Sequence, residues 1–355
     1  MGRRPVKVLL LMVVLAFAAA GIAWLTLFEV HGPSSGKVLV DVPRGASTRR
    51  IGQLLADAGV LRSRWQFIAV RLLRPRTRLQ AGEYAFSKAD TPWHIFDRLT
   101  TGDVYYYELL VPEGANLFDI GASLERLGLM KKEDFLETAR NPAVVKELLA
   151  GLAPEAPSLE GFLFPATYRL TRSTPADKLA RDMIGQFRKV YTSLGGQTPV
   201  LQTVTLASLV EKESAVPAER PVVASVYANR VARNMKLDCD PTAIYAALLE
   251  NRWRGTIYRS DLDSTNPYNT YKVPGLPPGP IANPGRQALE AALHPATTSY
   301  LFFVAKADGS GGHNFSEDLA HHQTAVAQYR RGHEKAVTPQ PASAAPGRGR
   351  SHSRK

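Results

Sequence analysis

The chain of 355 residues is long enough for two or three compact modules, and 45% hydrophobic with 21% charged residues is ordinary for globular material, which excludes disorder throughout. A formal net charge of +12 suits nucleic acid, anionic lipid or an acidic polymer, although Arg3, Arg4, Lys7, Arg348, Arg350, Arg354 and Lys355 place much of the excess at the two ends. Cys239 is the only cysteine, so an intrachain disulfide and a cysteine-based zinc site are both excluded.

Residues 1–7 are basic, and residues 8–28 contain no ionisable group. That apolar run is long enough to cross a hydrocarbon core of about 30 Å as a helix. Basic residues precede the run and Trp24 lies near its far end, which predicts a single-pass anchor in the inner (plasma) membrane. The N-terminus then stays in the cytoplasm and the rest of the chain lies on the periplasmic side. A cleaved signal peptide with Ala18 and Ala20 as its small residues is the alternative, but the apolar run continues past them to Phe28. Either reading exports the remainder of the chain and argues against a nucleic-acid partner.

After the anchor, Val42-Pro43-x-Gly45-Ala46 matches Val111-Pro112-x-Gly114-Ala115, and the same offset carries Ile51-Gly52 onto Ile120-Gly121, Leu55 onto Leu124 and Gly59 onto Gly128. Each copy reads as a strand, a Pro-Gly turn and a glycine-stopped helix. Shared architecture and generic strand-turn-helix chemistry both remain open. A strand at 82–86 and a helix at 91–100 complete a βααβ module over residues 37–102. A strand at 104–111, with Tyr105 to Tyr107, begins the next domain, which runs from 103 to 336. Helices are expected at 176–191, 200–215 and 218–233, with Pro217 as a breaker between the last two. Beyond Asp240 the chain reads as loop-rich, with a helix at 287–292, a strand at 300–304, a glycine turn at 309–312 and a closing helix at 323–336. Residues 337–355, rich in Pro, Ala, Ser and Gly, read as a disordered basic tail.

The segment from Leu206 to Ser214 bears the chemistry. On a helix, Leu206, Leu209, Val210 and Glu213 share one face, which places Glu213 on an apolar stripe near a helix C-terminus. Desolvation and the negative end of the helix dipole both favour its protonated form, as a general acid requires. Glu211 falls on another side and reads as a solvated surface charge. Spacing alone leaves Glu213 open between that acid and a buried structural carboxyl paired with Arg220 or Arg230. Asp238 and Asp240 are candidates for a second carboxylate, with an N-cap before Pro241 as the alternative for Asp240. Tyr268, Asn269 and Tyr271 suit either a sugar groove or loop packing. His313 and Asn314 suit substrate contact or a structural hydrogen bond, and Glu160 suits substrate orientation or loop anchoring. His294, His321 and His322 lack metal-site spacing, so no metal and no cofactor are expected.

The run LASLVEKESAVPAERPVVASVYANRV resembles the core motif of the YceG-like family, the MltG-type endolytic murein transglycosylases. LEGFLFPATY before it, and LDCDPTAIYA, NPYNTYKVPGLPPGPIANPG and FFVAKADGSGGHNFS after it, stand in the family's order, extending the likeness to about Tyr329. The resemblance implies an α+β protein with an N-terminal transmembrane helix, a LysM-like βααβ module at 37–102 and a mostly helical, lysozyme-like catalytic domain at 103–336. It implies Glu213, followed by Ser214 as in the Glu-Ser pair of lysozyme-like transglycosylases, as the catalytic acid. The implied reaction cleaves the MurNAc–GlcNAc β-1,4 bond of nascent peptidoglycan with 1,6-anhydro-MurNAc ends, terminating glycan elongation. Implied partners are glycan strands and the synthases that make them. One departure stands out: Ala166 occupies the place of the family's usual Asp in the PDTY segment, which weakens any functional claim for position 166.

Overall fold

A computed structural model describes residues 3–34, 36–196 and 199–337. The predicted basic tail, from 338 onward, lies outside the described residues. Helix α1 (Arg3–Phe28) contains the apolar stretch Val8–Phe28, long and apolar enough to cross a membrane.

Strand β1 (Val38–Val42) leads through a turn into α2 (Thr48–Asp57), whose N-terminus is capped by Ser47 accepting the Arg50 N–H at 3.2 Å. Helix α3 (Arg64–Leu73) starts with a Ser63/Gln66 capping box. Strand β2 (Gly82–Phe86) pairs antiparallel with β1, Val40 opposite Tyr84, and α4 (Pro92–Thr101) closes the module with Pro92 in its first turn. Val40, Ile51, Leu55, Phe67, Tyr84, Phe86 and Phe96 are buried together in a core of their own. Each such apolar side chain contributes roughly 1.5–3 kcal/mol when fully buried.

Strand β3 (Tyr107–Leu110) begins three residues later than its sequence predicts. It is followed by α5 (Leu117–Arg126), α6 (Lys132–Arg140) and α7 (Pro142–Leu148), and then by β4 (Thr167–Leu170), which pairs antiparallel with β3. The repeat is therefore architectural. Gly45 and Gly114 adopt φ of 76° and 75°, Gly59 and Gly128 adopt 69° and 66°, and Ile51, Ile120, Leu55 and Leu124 are all buried. Positive φ strains any residue with a Cβ, so the same turns demand glycine in both copies.

The remainder is mainly helical: α8 (Ala176–Ser193), α9 (Val200–Glu213), a 3-10 turn at Pro217–Glu219, α10 (Arg220–Ala232), α11 (Asp240–Leu249), α12 (Arg259–Leu262) and α13 (Arg286–Leu293). The hairpin β5 (Phe302–Ala305) and β6 (His313–Ser316) precedes α14 (Leu319–Val337). Helix α9 is surrounded by α10, α11 and α13. Helix α11 corrects the expectation of loop beyond Asp240: its residues are so evenly apolar that the amphipathic signature of a surface helix is absent, because Thr242, Ala243, Tyr245, Ala246 and Ala247 are all buried. By contact density the chain forms two compact units. One comprises the chain to Val111 with Asp119–Thr138 and Ala166–Leu179; the other comprises Pro112–Phe118, Ala139–Pro165 and Ala180 onward.

Candidate active site

Helix α9 ends at Glu213 because Ser214 turns extended, at φ −117° and ψ 111°, and Pro217 follows. Ser214 is itself buried, and its hydroxyl donates to the Val216 carbonyl at 3.0 Å. This abrupt stop leaves the Glu213 side chain on the wall of a cavity of about 510 Å³ within the second unit. Leu209 and Val210, its stripe mates, are fully buried beneath it.

No ion pair among the described residues holds Glu213. The two arginines expected from the sequence to neutralise a structural carboxyl there are committed elsewhere: Arg220 to Glu211 at 3.1 Å and Arg230 to Asp238 at 3.3 Å. Glu213 has neutral partners instead. The Cys239 thiol donates to its Oε1 at 3.2 Å, with the Tyr227 hydroxyl as a second hydrogen-bond partner. Burial pushes the Glu213 carboxyl above the usual carboxylate range, and the nearby negative charge of Asp240 adds to that. The bonds from Cys239 and Tyr227 pull the other way without prevailing. Burial raises the Cys239 thiol and Tyr227 phenol well above their ordinary values, so both remain protonated donors at neutral pH.

The surroundings of Cys239 set its position. Its N–H donates to Thr270 Oγ1 at 3.1 Å, and its carbonyl accepts from Thr242 Oγ1 at 2.6 Å. Cys239 stands at the N-cap of α11 without a capping bond from its side chain, which leaves the thiol free for Glu213. Asp240 is the first helical residue and not the cap that Pro241 suggests. Its carboxylate accepts the Tyr271 hydroxyl at 2.6 Å, and both residues line the cavity. Burial and this bond raise the Tyr271 phenol.

The β5–β6 hairpin and α14 also line the cavity with Phe302, Phe303, His313 and His322. Glu219 accepts both the backbone N–H of His313, at 3.0 Å, and a contact from its Nδ1 at 2.8 Å, which locks the imidazole in place. Strand alternation separates His313 from its neighbour, since Asn314 lies instead in a different depression with Lys306, Gln328 and Tyr329. Arg230 also lines the cavity and donates to the carbonyls of Leu301, Lys236 and Leu237 at 2.5–3.1 Å.

Three other sequence candidates do not line the cavity. Glu160 is fully buried and accepts from the Leu117 N–H, the Tyr245 hydroxyl and Asn283 Nδ2 at 2.9–3.0 Å, tying three segments together. Gly161 beside it has φ 86°, and a Cβ there would lie 2.5 Å from Pro280. Asn269 is also fully buried, donating to the carbonyls of Asp261, Leu262 and Ser264 and accepting the Tyr271 N–H. Tyr268 packs at a tilt against Tyr245 with centroids 5.1 Å apart, and burial pushes its phenol up to about 12.

Glu211 is no surface charge. Its side chain and that of Arg220 are 5% and 8% exposed, and it also accepts the Gly285 N–H at 2.9 Å. The sequence reading missed this, along with Tyr227, Cys239, Glu219 and Arg230, because each depends on a partner distant in the chain. Only the Asp238-Cys239-Asp240 run hints at polar crowding.

The pattern that defines the YceG-like family matches residues 40–328. An endolytic murein transglycosylase of Bacillus subtilis (strain 168) is 32% identical over 317 residues, covering 84% of this chain and 87% of its own. An endolytic murein transglycosylase of Streptococcus pneumoniae serotype 2 (strain D39) is 28% identical over 309 residues, covering 79% of this chain and 56% of the longer relative. A crystal structure of a yceG-like protein from Listeria monocytogenes superposes with a TM-score of 0.52 at 32% identity, over 82% of this chain and 99% of that one.

Proposed function

Because the chain belongs to the YceG-like family, we propose that it is a peptidoglycan lytic transglycosylase whose catalytic acid is Glu213. The observation that carries this assignment is a carboxyl raised by burial, in no ion pair among the described residues, on the wall of a cavity large enough for sugar rings.

Protonated Glu213 donates to the glycosidic oxygen between MurNAc and GlcNAc as that bond breaks. The resulting carboxylate then takes the proton of the muramyl C6 hydroxyl while its oxygen closes on C1, giving a 1,6-anhydro end. One group serves as acid and then base, and no water is consumed. The Cys239 thiol stabilises the carboxylate between the two steps without fixing it as an anion beforehand, as a lysine or arginine would. Phe302, Phe303 and Tyr271 offer faces and edges to pyranose rings, and Asp240 and the Glu219-held His313 offer hydrogen bonds. Residues 37–102 serve as a LysM-like module beside the glycan, α1 anchors the chain in the inner membrane with the catalytic domain outside the cytoplasm, and cleavage within nascent strands ends their elongation in concert with the synthases.

Purified glycan strands incubated with the chain in ¹⁸O-labelled water test the reaction. Anhydro-muramyl ends without label are expected. Labelled reducing ends would replace the lyase with a hydrolase using Asp240 as the second carboxylate, and binding without cleavage would remove the enzymatic assignment.

A further inference from the structure

The first unit carries an apolar surface that the proposed reaction does not use. On α3, Trp65, Leu72 and Leu73 are 58%, 75% and 61% exposed. Trp65 and Leu72 are seven residues apart and share a helix face, with Leu73 adjoining. Arginine surrounds them: Arg64 lies over the Trp65 ring at 5.2 Å, Arg74 lies over Trp93 at 5.4 Å, and Arg62, Arg76 and Arg78 are exposed. The acidic groups nearby are already paired, Glu29 with Arg62 and Asp97 with Arg74.

The position of this surface relative to α1 identifies what it meets. Trp65, Ser63 and Gln66 line a groove of about 520 Å³ together with Ile22, Trp24, Thr26 and Phe28 of α1. Phe28 stacks on Trp93 at 6.4 Å, and His31 and Asp90 exchange backbone bonds at 2.8 and 3.0 Å, so the module is fastened to the end of the anchor. Ile22 lies about 9 Å below Phe28 along the helix axis, at 1.5 Å per residue. With the apolar span ending at Phe28, a ring beside Ile22 and Trp24 reaches about 5–10 Å inside that end, the depth to which an interfacial helix sinks its apolar face, while Arg62, bonded to Glu29 just past the span, stays at the level of lipid phosphate.

We propose that α3 lies on the outer face of an anionic phospholipid bilayer, with Trp65, Leu72 and Leu73 immersed and the surrounding arginines on phosphate. This rests on α1 spanning the membrane, and it extends that reading from a tether to a fixed seat for the first unit. Full-length chain in nanodiscs containing phosphatidylglycerol tests it through nitroxides placed singly by Leu72→Cys, Leu73→Cys, Val14→Cys and Glu155→Cys. Leu72, Leu73 and Glu155 are exposed and Cys239 is buried, so the labels read their own sites without disturbing packing. At 72 and 73, collision with oxygen is expected to exceed that at 155 several-fold, and collision with a water-soluble nickel complex is expected to fall correspondingly. Equal readings at 72, 73 and 155, with 14 in hydrocarbon, would overturn the docking and leave the anchor standing. A water-like reading at 14 would overturn the anchor and the docking with it.

Discussion

Two carboxylates close the last turn of α9 and enter different surroundings. On one side Glu211 meets Arg220, the Gly285 N–H and almost no solvent. On the other side Glu213 meets a thiol, a phenol and an open cavity. Burial raises both, so burial alone does not distinguish a structural acid from a reactive one. The distinction is the counter-ion: a buried carboxylate bonded to a guanidinium is held in one geometry and cannot easily exchange its proton, whereas Glu213 is held by neutral donors, as the proposed acid-then-base role requires.

Exchange of the two roles by mutation would break that contrast. Glu213→Gln is expected to lower turnover by about 10²–10⁴, the usual contribution of a positioned acid, with the chain still folded by circular dichroism. Retained cleavage would remove Glu213 as the acid. Glu211→Ala leaves Arg220 buried and unpaired, and is expected to cost about 3–5 kcal/mol in denaturant unfolding while the remaining folded protein keeps its pH profile. If Glu211→Ala instead abolished activity without loss of stability, the assignments would be reversed.

The pH dependence sharpens the contrast. With Glu213 as the proposed acid, cleavage needs its protonated form, so the rate is expected to fall as pH rises through its raised pKa. Cys239→Ala removes a donor that favours the carboxylate and is expected to move that limb to higher pH. Asp240→Asn removes a negative neighbour and is expected to move it lower. Shifts in the same direction would contradict the arrangement. The smallest effect concerns stability. A folded-state pKa above the unfolded one contributes stability that is full below the unfolded value and lost as pH rises through the folded one. Glu213→Gln is therefore expected to melt higher than the parent at neutral pH, with the difference closing once the medium is acidic enough to protonate the carboxyl in both states. A lower melting temperature for the variant at neutral pH would show that the ionised carboxyl stabilises the fold.

Much of the architecture was legible from local pattern. The paired glycines and leucines announced two copies of one strand-turn-helix unit, and positive φ at Gly45, Gly59, Gly114 and Gly128 shows why those positions repeat. Period-3.6 spacing placed Glu213 on the stripe of Leu209 and Val210. The same reasoning failed for Glu211 because helical spacing says which face a residue takes, and not whether that face is covered. Helix α11 escaped notice for a related reason: buried on most sides, it carries no polar stripe to mark its period.

The sequence by itself determined a span of membrane length, the repeated turns and the face on which Glu213 lies, because each follows from chain-local geometry and solvation. Only the tertiary structure decided that Arg220 and Arg230 are spent on Glu211 and Asp238, that Cys239 donates to Glu213, and that Glu219 holds His313 in the cavity lining. Those facts depend on which groups meet after segments far apart in the chain are packed together, and the acidity of a carboxyl is set by the charges and donors it meets there.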